Sequence, residues 1–218
     1  MKPIKWLALA GMAALLAACG SKQEASKSNF EKAINDFAGQ ERVCLPLGVG
    51  MDAEQGIDAM ASGMLGDKQI RIPLKNTQGS RINKQALKQM EVLVDADLYA
   101  QGEDSTQAVG LGGASIPVAV FNRTEKGDNQ VLPSPHGPLL CLGTQKVGDV
   151  VLFTEPTAAN GVTISKVVYQ AELVPEKWLK KLLKNSDKEL AERVEAPQRQ
   201  SVTLVLTNQG WRDLRELR

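Results

Sequence analysis

The sequence is poor in several residue types on which common functions depend. Its 218 residues include one histidine, three cysteines and 4% aromatic residues, and its 26 basic residues nearly balance 25 acidic ones. A lone histidine cannot form a multi-histidine zinc site. A near-neutral chain with few aromatic side chains also lacks the charge and the stacking surfaces that nucleic-acid binding uses. We therefore expect no nucleic-acid partner, no metal ion and no other cofactor.

The first 20 residues differ in character from the rest. Lys2 and Lys5 precede an uncharged run from Trp6 to Ala18, which ends in small residues before Cys19. A basic start, a short apolar run and small residues before a cut are typical of a secretory signal peptide. A membrane-spanning helix needs about 20 apolar residues, which is longer than this run. A buried core helix would not explain the lysines at one end and the small residues at the other.

The stretch Leu16-Ala17-Ala18-Cys19 resembles the lipobox of bacterial lipoproteins at all four positions. The resemblance covers only the signal, residues 1–19. It implies that the Cys19 thiol receives a diacylglycerol and that the new amine is acylated after cleavage, which would anchor the chain in the lipid bilayer. Gly20 stands where an aspartate would favour the inner membrane. The resemblance therefore implies the periplasmic leaflet of the outer membrane.

Two cysteines remain if Cys19 is lipidated. An exported protein enters an oxidising compartment, in which paired thiols tend to form bridges. We predict a Cys44–Cys141 disulfide, and the alternative is two buried free thiols. The bridge would close a loop of about 100 residues, worth up to about 4.7 kcal/mol in the chain-entropy model.

The first half of the body, residues 29–132, follows a small and polar stretch, 20–28, that predicts a flexible tether. Capping residues and apolar periodicity predict a helix at 29–40 from Ser28, one at 52–66 from Asp52, and a third beginning at Asn83 with Leu87, Met90 and Val94 inward. A short strand or extended segment is predicted at 43–49, and short strands are predicted at 70–74 and 116–121, with Pro73 at a sheet edge. The glycines near 110–113 indicate a turn, because a dinucleotide fingerprint needs a third glycine.

This order of elements resembles a winged helix, although the third helix is a poor DNA reader. Lys84 and Lys88 on that helix are offset by Glu91, Asp95 and Asp97. A winged-helix regulator would also conflict with export. We therefore expect that any winged helix here has lost a DNA role.

The second half, residues 139–218, follows a Pro-rich linker at 133–138 that contains His136. Asn160-Gly161 between two apolar runs predicts a β-hairpin, with a change of phase near Lys166. A helix beginning at Pro175 and breaking near Asn185, with a capping box from Ser186, and a strand at 201–206 complete a β-β-α-β unit. The predicted fold class is α+β: a helical, winged-helix-like N-terminal half, then a small antiparallel sheet backed by a helix.

Three short motifs make the body resemble a loosely defined group of uncharacterised exported proteobacterial lipoproteins. They are Cys44-Leu45, Cys141-Leu142-Gly143 and the chain end at 206–211. The resemblance spans most of the body. It implies export and anchorage but no activity.

The run KWLKKLLK at 177–184 places an apolar stripe beside a basic one. One interpretation is a helix that lies on an anionic membrane. The other is a helix that covers its own sheet, with the lysines in water, and we favour it. The residues that could form a membrane or partner surface are Trp178, Lys180, Lys181 and Lys184.

No catalytic constellation emerges from the sequence. His136 has no Ser or Cys partner, and no spacing singles out a pair of carboxylates. The leading hypothesis is a non-enzymatic, membrane-anchored envelope lipoprotein that binds a ligand or an envelope protein partner. The alternative is a periplasmic hydrolase-type enzyme whose carboxylates the sequence does not identify.

Overall fold

The structure, a computed structural model, describes residues 21–52, 63–109 and 114–217. Within these ranges the chain is mainly β. The helices are α1 (Lys27–Ala38), α2 (Lys84–Asp95), α3 (Glu125–Asp128), α4 (Leu179–Lys184) and α5 (Lys188–Glu195), with a 3-10 helix at Leu214–Leu217. The strands are β1 (Arg42–Leu45), β2 (Leu47–Gly48), β3 (Met64–Leu65), β4 (Gln69–Pro73), β5 (Tyr99–Gln101), β6 (Ser105–Val109), β7 (Ala114–Arg123), β8 (Val131–Leu132), β9 (Leu139–Phe153), β10 (Thr157–Ala159), β11 (Val162–Pro175), β12 (Gln198–Thr207) and β13 (Gly210–Asp213).

Seven strands form a curled antiparallel sheet that joins the two ends of the chain. Its order is β1-β9-β11-β12-β13, with β8 beside β9 and β10 beside β11. Asn160 and Gly161 have φ values of 50° and 81°, as a type I′ turn between β10 and β11 requires. The hairpin predicted at this dipeptide is confirmed.

A second, four-stranded sheet has the order β4-β7-β5, with β6 beside β7, and β2 pairs with β3. In β4, Ile70 and Ile72 are buried while Gln69 and Arg71 face solvent. β4 lies at an edge of its sheet and ends at Pro73, which has no N–H to donate to a further strand. The strand and its edge position are therefore confirmed.

Two hydrophobic clusters fill the interior. The α2 cluster joins α2 and α4 to β4, β7 and part of β9, and its centre includes Ile72, Met90, Leu93, Leu142 and Leu182. The α1 cluster packs α1 on the large sheet, and its members are Phe30, Ala33, Ile34, Ala38, Val147, Val150, Val167, Tyr169, Ala171, Leu204 and Trp211.

The predicted winged-helix-like N-terminal half is wrong, and with it the predicted fold class. The first helix, α1, packs on β9 and β13 of the large sheet, whereas α2 belongs to the other cluster. Apolar periodicity identifies the face that a helix buries, but it does not identify the distant strand that covers this face. The helix that packs on β9 and β13 of the large sheet is therefore α1, and not the helix predicted to begin at Pro175.

Helix boundaries also differ from prediction in detail. α1 begins two residues early because the hydroxyl of Ser26, not that of Ser28, accepts from the Asn29 N–H at 3.4 Å. The predicted helix at 52–66 lies largely outside the described residues. Its predicted end is wrong, because Met64–Leu65 forms β3.

The helix predicted from Asn83 is confirmed as α2, with Asn83 as its N-cap. Its buried face is rotated from the prediction. Met90 is buried as expected, but Leu87 and Val94 are half-buried, while Ala86 and Leu93 are fully buried.

In the second half, Pro175 ends β11 and does not start a helix, since α4 begins at Leu179. The break near Asn185 is confirmed, because Asn185 is the C-cap of α4. The following N-cap is Asp187 and not Ser186: its carboxylate accepts from the Leu190 N–H at 2.7 Å.

The predicted phase change near Lys166 does not occur. Ser165 is fully buried on the same face as Val167 and Tyr169, and its hydroxyl donates to the Thr154 carbonyl at 2.8 Å. A hydroxyl that has a hydrogen-bond partner can be buried at little cost. Ser165 therefore points inward, whereas the prediction placed Ile164 inward. The register irregularities of β11 against β9 fall later, after Val168 and after Gln170.

A candidate ligand pocket under helix α5

An apolar pocket of about 320 Å³ lies between the large sheet and α5. Ligand sites of small molecules commonly start at this size and are mostly apolar. The walls come from β1, β9, β11 and the end of α5; the residues are Val43, Leu45, Leu142, Gln145, Ala171, Leu173, Arg193, Val194, Ala196 and Gln198.

The pocket lies where the two hydrophobic clusters meet. Leu142 and Val194 belong to the α2 cluster, and Ala171 belongs to the α1 cluster. Junctions between separately packed units are common places for ligand sites. The pocket thus occupies a gap that neither cluster fills.

Irregular pairing of the strands accounts for the curvature around this gap. β1 and β9 change register between Val43 and Cys44, and β9 and β11 do so after Val168 and after Gln170. Each such bulge bends the strand and increases its twist. The sheet therefore curves here and does not lie flat under α5.

Helix α5 covers the pocket with a small apolar face. Val194 is its only fully buried residue, while Leu190 and Ala191 are partly buried against the α2 cluster. The helix has eight residues, and short helices depend on tertiary packing for stability. We therefore expect α5 to be among the elements that open most readily.

The polar groups at the pocket are few. Arg193 is exposed and makes no hydrogen bond or ion pair with the described residues. It lies in the last turn of α5, where a cation is favourable for the helix dipole. Gln145 is half-buried on β9. Gln198 donates to the Ala196 carbonyl at 3.1 Å. An apolar chamber with one cation at its edge suits a ligand with an apolar body and one anionic group.

The two cysteines predicted to pair are joined beside this pocket. Cys44 and Cys141 lie opposite each other in the β1–β9 pairing, and their Sγ atoms are 2.05 Å apart, a disulfide bond. The bond holds β1, which supplies Val43 and Leu45 to the pocket, against β9. Cys19 lies outside the described residues.

The basic run at 177–184 turns its leucines inward. Leu179, Leu182 and Leu183 are buried in the α2 cluster, and Trp178 is half-buried against it. This is the arrangement expected of a helix that covers its own protein. The lysines predicted as a partner surface, Lys180, Lys181 and Lys184, are exposed.

A charged cluster at the chain end supports α1 and is separate from the pocket. Asp213 is fully buried and accepts from Arg215 Nε at 3.0 Å and Nη2 at 2.8 Å. Arg215 also reaches Glu41 at 3.1 Å and stacks 4.2 Å above the Phe37 ring. The hydrogen bond to Asp213 raises the pKa of the Arg215 guanidinium. These contacts tie the 3-10 helix to α1 and β13.

The remaining candidates of the sequence are dispersed. His136 is exposed in a turn between β8 and β9, and the glycines at 110–113 lie outside the described residues. Across residues 21–52, 63–109 and 114–217, no three His, Cys, Asp or Glu side chains group in a way that could hold a metal ion. In the same ranges, no helix has the length and apolarity needed to cross a bilayer.

Sequence reasoning missed the pocket because its walls are spread over more than 150 positions. One signal could have indicated part of it. A Cys44–Cys141 bond requires β1 to lie beside β9, so Val43 and Leu45 had to approach Leu142. The contribution of α5 had no comparable signal.

Comparison with known proteins assigns no relative to the chain. No protein-family model, no curated protein and no solved structure matches it.

Proposed function

We propose that the protein is a lipid-anchored envelope protein that binds a small amphipathic anion, without catalysis, in the pocket under α5. The observation that carries the binding role is the pocket itself, whose apolar walls end at an arginine without a partner among the described residues. A ligand with a hydrocarbon body would replace water against Leu142, Ala171 and Leu173. Burial of apolar surface contributes about 25 cal/mol per Å².

The charge of the ligand follows from Arg193. A guanidinium binds a carboxylate or phosphate through two parallel hydrogen bonds, and charge-assisted bonds of this kind contribute about 1.5–3 kcal/mol. The half-buried amide of Gln145 can donate a further hydrogen bond. A fatty acid or a lipid-like carboxylate has this chemistry.

The anchor rests on the lipobox resemblance of Leu16-Ala17-Ala18-Cys19. Diacylglycerol on Cys19 would keep the body at the periplasmic leaflet of the outer membrane, where apolar ligands are concentrated. The exposed lysines of α4 are the proposed contact for an envelope protein partner.

Calorimetric titration of the body, without residues 1–19, with decanoate tests the binding role. We expect saturable binding, and weaker binding of decanol, which has the same chain without the charge. Arg193→Gln should weaken decanoate binding by about tenfold, the equivalent of 1.4 kcal/mol.

Arg199→Gln is the matched control, because Arg199 is also exposed but does not line the pocket. It should leave the affinity unchanged. Ala196→Phe adds a ring at the rim and should block binding of both ligands. Equal affinities for the wild type and Ala196→Phe would show that decanoate binds elsewhere.

A further inference from the structure

The segment that leads from the anchor to the body is docked on the protein surface. The sequence predicts a flexible tether over residues 20–28, but residues 27–28 are in α1. The docked segment, residues 21–26, lies against α1 and β13. It contains its own turn, in which the Glu24 N–H donates to the Ser21 carbonyl at 2.9 Å.

Two side chains hold the docked segment. The buried indole of Trp211 donates through Nε1 to the carbonyls of Gln23 at 3.2 Å and Glu24 at 3.1 Å. The amide of Asn29 donates through Nδ2 to the carbonyls of Ser21 and Glu24, both at 2.9 Å. All four hydrogen bonds are made at once, so the segment is held at three of its carbonyl groups.

Glycine at position 210 permits this close approach. Gly210 has a φ of 109°, and a Cβ atom there would stand 2.9 Å from the Lys22 carbonyl oxygen. A side chain at this position would be strained by its backbone and would push the docked segment away. The glycine at position 210 and its close contact with Lys22 therefore both favour packing of the docked segment on this surface.

The docked segment leaves little slack between the body and the anchor. Two peptide steps separate Ser21 from Cys19, and a fully extended chain covers at most about 7 Å over that distance. A flexible tether from Cys19 to Lys27 would instead allow the body to turn freely above the bilayer.

A polar groove of about 530 Å³ lies beside the docked segment, and its lining carries three cations, Lys22, Lys32 and Arg212, and one carboxylate, Asp36. Asp36 forms ion pairs with Lys32 at 2.9 Å and with Arg212 at 3.6 Å, so the lining keeps an excess of positive charge. Basic side chains are attracted to an anionic membrane surface. This charge suits a lipid headgroup layer.

We infer that the α1–β13 end of the protein rests against the headgroups of the membrane, in one orientation set by the docked segment. The inference rests on the proposed acylation of Cys19. The α2 cluster then points away from the bilayer, and the pocket lies between the two ends of the body.

Fluorescence quenching on vesicles tests this orientation. The full-length protein, expressed with its signal so that Cys19 can be acylated, is reconstituted into vesicles of phosphatidylethanolamine and phosphatidylglycerol that contain headgroup-quenching lipids. A single thiol probe is placed at Lys32→Cys, beside the groove, or at Lys88→Cys, exposed on α2. We expect several-fold stronger quenching at position 32 than at position 88.

Two variants then remove the constraint by different routes. About 20 Gly and Ser residues inserted after Gly20 leave the fold intact and add a reach of about 25 Å. Asn29→Ala removes two of the four hydrogen bonds. Both variants should bring the quenching at position 32 towards that at position 88.

The outcomes separate the two proposals. Protein that fails to float with the vesicles would contradict acylation and the orientation together. Protein that floats but shows equal quenching at both positions in the wild type would overturn the orientation alone. Undiminished quenching at position 32 after the insertion would also overturn it, since the docked segment would then have no role.

Discussion

The two hydrophobic clusters of the molecule are built by different means. The α1 cluster centres on aromatic contacts: the Phe30 ring meets Phe153 at 4.8 Å and Trp211 at 4.9 Å, both edge to face. The α2 cluster is mainly aliphatic, and two buried polar residues, Asn83 at the start of α2 and Gln89 within it, form hydrogen bonds. We therefore expect the stability of the α1 cluster to depend on the orientation of its rings, and that of the α2 cluster to depend on the volume that its aliphatic side chains fill.

Hydrogen bonds from Asn83 and Gln89 hold the chain segment that follows β2, residues 50–52. Asn83 and Asp52 exchange hydrogen bonds at 2.7 and 2.6 Å, and the Gln89 amide joins Gly50 to Ser186. The α1 cluster is held instead by contacts with the docked segment and with Arg215 of the 3-10 helix. The two clusters therefore depend on different segments of the chain.

The disulfide joins β1 to β9, and its loss should have the largest effect. Cys44 and Cys141 are 97 positions apart. Replacing both by serine should lower the free energy of unfolding by up to about 4.7 kcal/mol in the chain-entropy model. Thermal unfolding monitored by circular dichroism measures this, and reduction of the wild type should reproduce it. A melting temperature insensitive to reductant would contradict the cross-link.

Alkaline pH should weaken both clusters through their tyrosines. Burial raises the pKa of Tyr99, in the α2 cluster, to about 12, and burial also raises the pKa of Tyr169, in the α1 cluster. Because the unfolded chain loses these protons near pH 10, the stabilisation is present below pH 10 and is lost as the pH rises towards the folded pKa. For Tyr99 the loss approaches about 3 kcal/mol.

Tyr99→Phe separates this effect from packing. At pH 7 it should destabilise the protein, because the hydroxyl donates to the Asp67 carbonyl and accepts from the Gly66 N–H. Between pH 10 and 12 its stability should fall less than that of the wild type. Urea titrations at several pH values measure both. An equally steep fall in the variant would contradict the assignment.

A matched pair of substitutions compares aromatic with aliphatic packing. Phe30→Leu removes two edge-to-face contacts, each worth about 0.5–1.5 kcal/mol, so it should destabilise by about 1–3 kcal/mol. Met90→Leu conserves volume in the α2 cluster and should cost less than about 1.5 kcal/mol. Denaturant unfolding of the two variants gives the values. Equal costs would show that ring geometry is unimportant.

Release of the docked segment should have the smallest effect on global stability. Trp211→Phe keeps a ring beside Phe30 but removes the Nε1 donor, at a cost of about 1 kcal/mol. Trypsin should then cut after Lys22 markedly faster than in the wild type. Trp178→Phe is the matched control and should leave that rate unchanged. Rapid cleavage in the wild type would contradict docking.

Much of the local structure could be predicted from the sequence, because its causes are local. Asn160-Gly161 specified its turn through positive φ. The alternation around Ile70 and Ile72 specified a strand, and Pro73 specified its edge position. The disulfide was predicted from the cysteine count together with the predicted export. Each of these inferences needed only neighbouring residues or a chemical rule.

The assembly could not be predicted, since it depends on contacts between distant residues. Nothing near Phe30 indicates that its partners are Phe153 and Trp211. Ser165 was misplaced because its burial depends on the Thr154 carbonyl. The pocket was missed for the same reason: Arg193 becomes noticeable only when α5 lies over Ala171 and Leu173.

The central claim is that acylation of Cys19 holds the protein at a membrane. Its most direct test is growth with an alkyne-tagged fatty acid, followed by purification, tag detection and membrane fractionation. We expect label on the wild-type protein in the membrane fraction, and neither label nor membrane association for Cys19→Ser. A wild-type protein without label, or a serine variant that stays in the membrane fraction, would contradict the account.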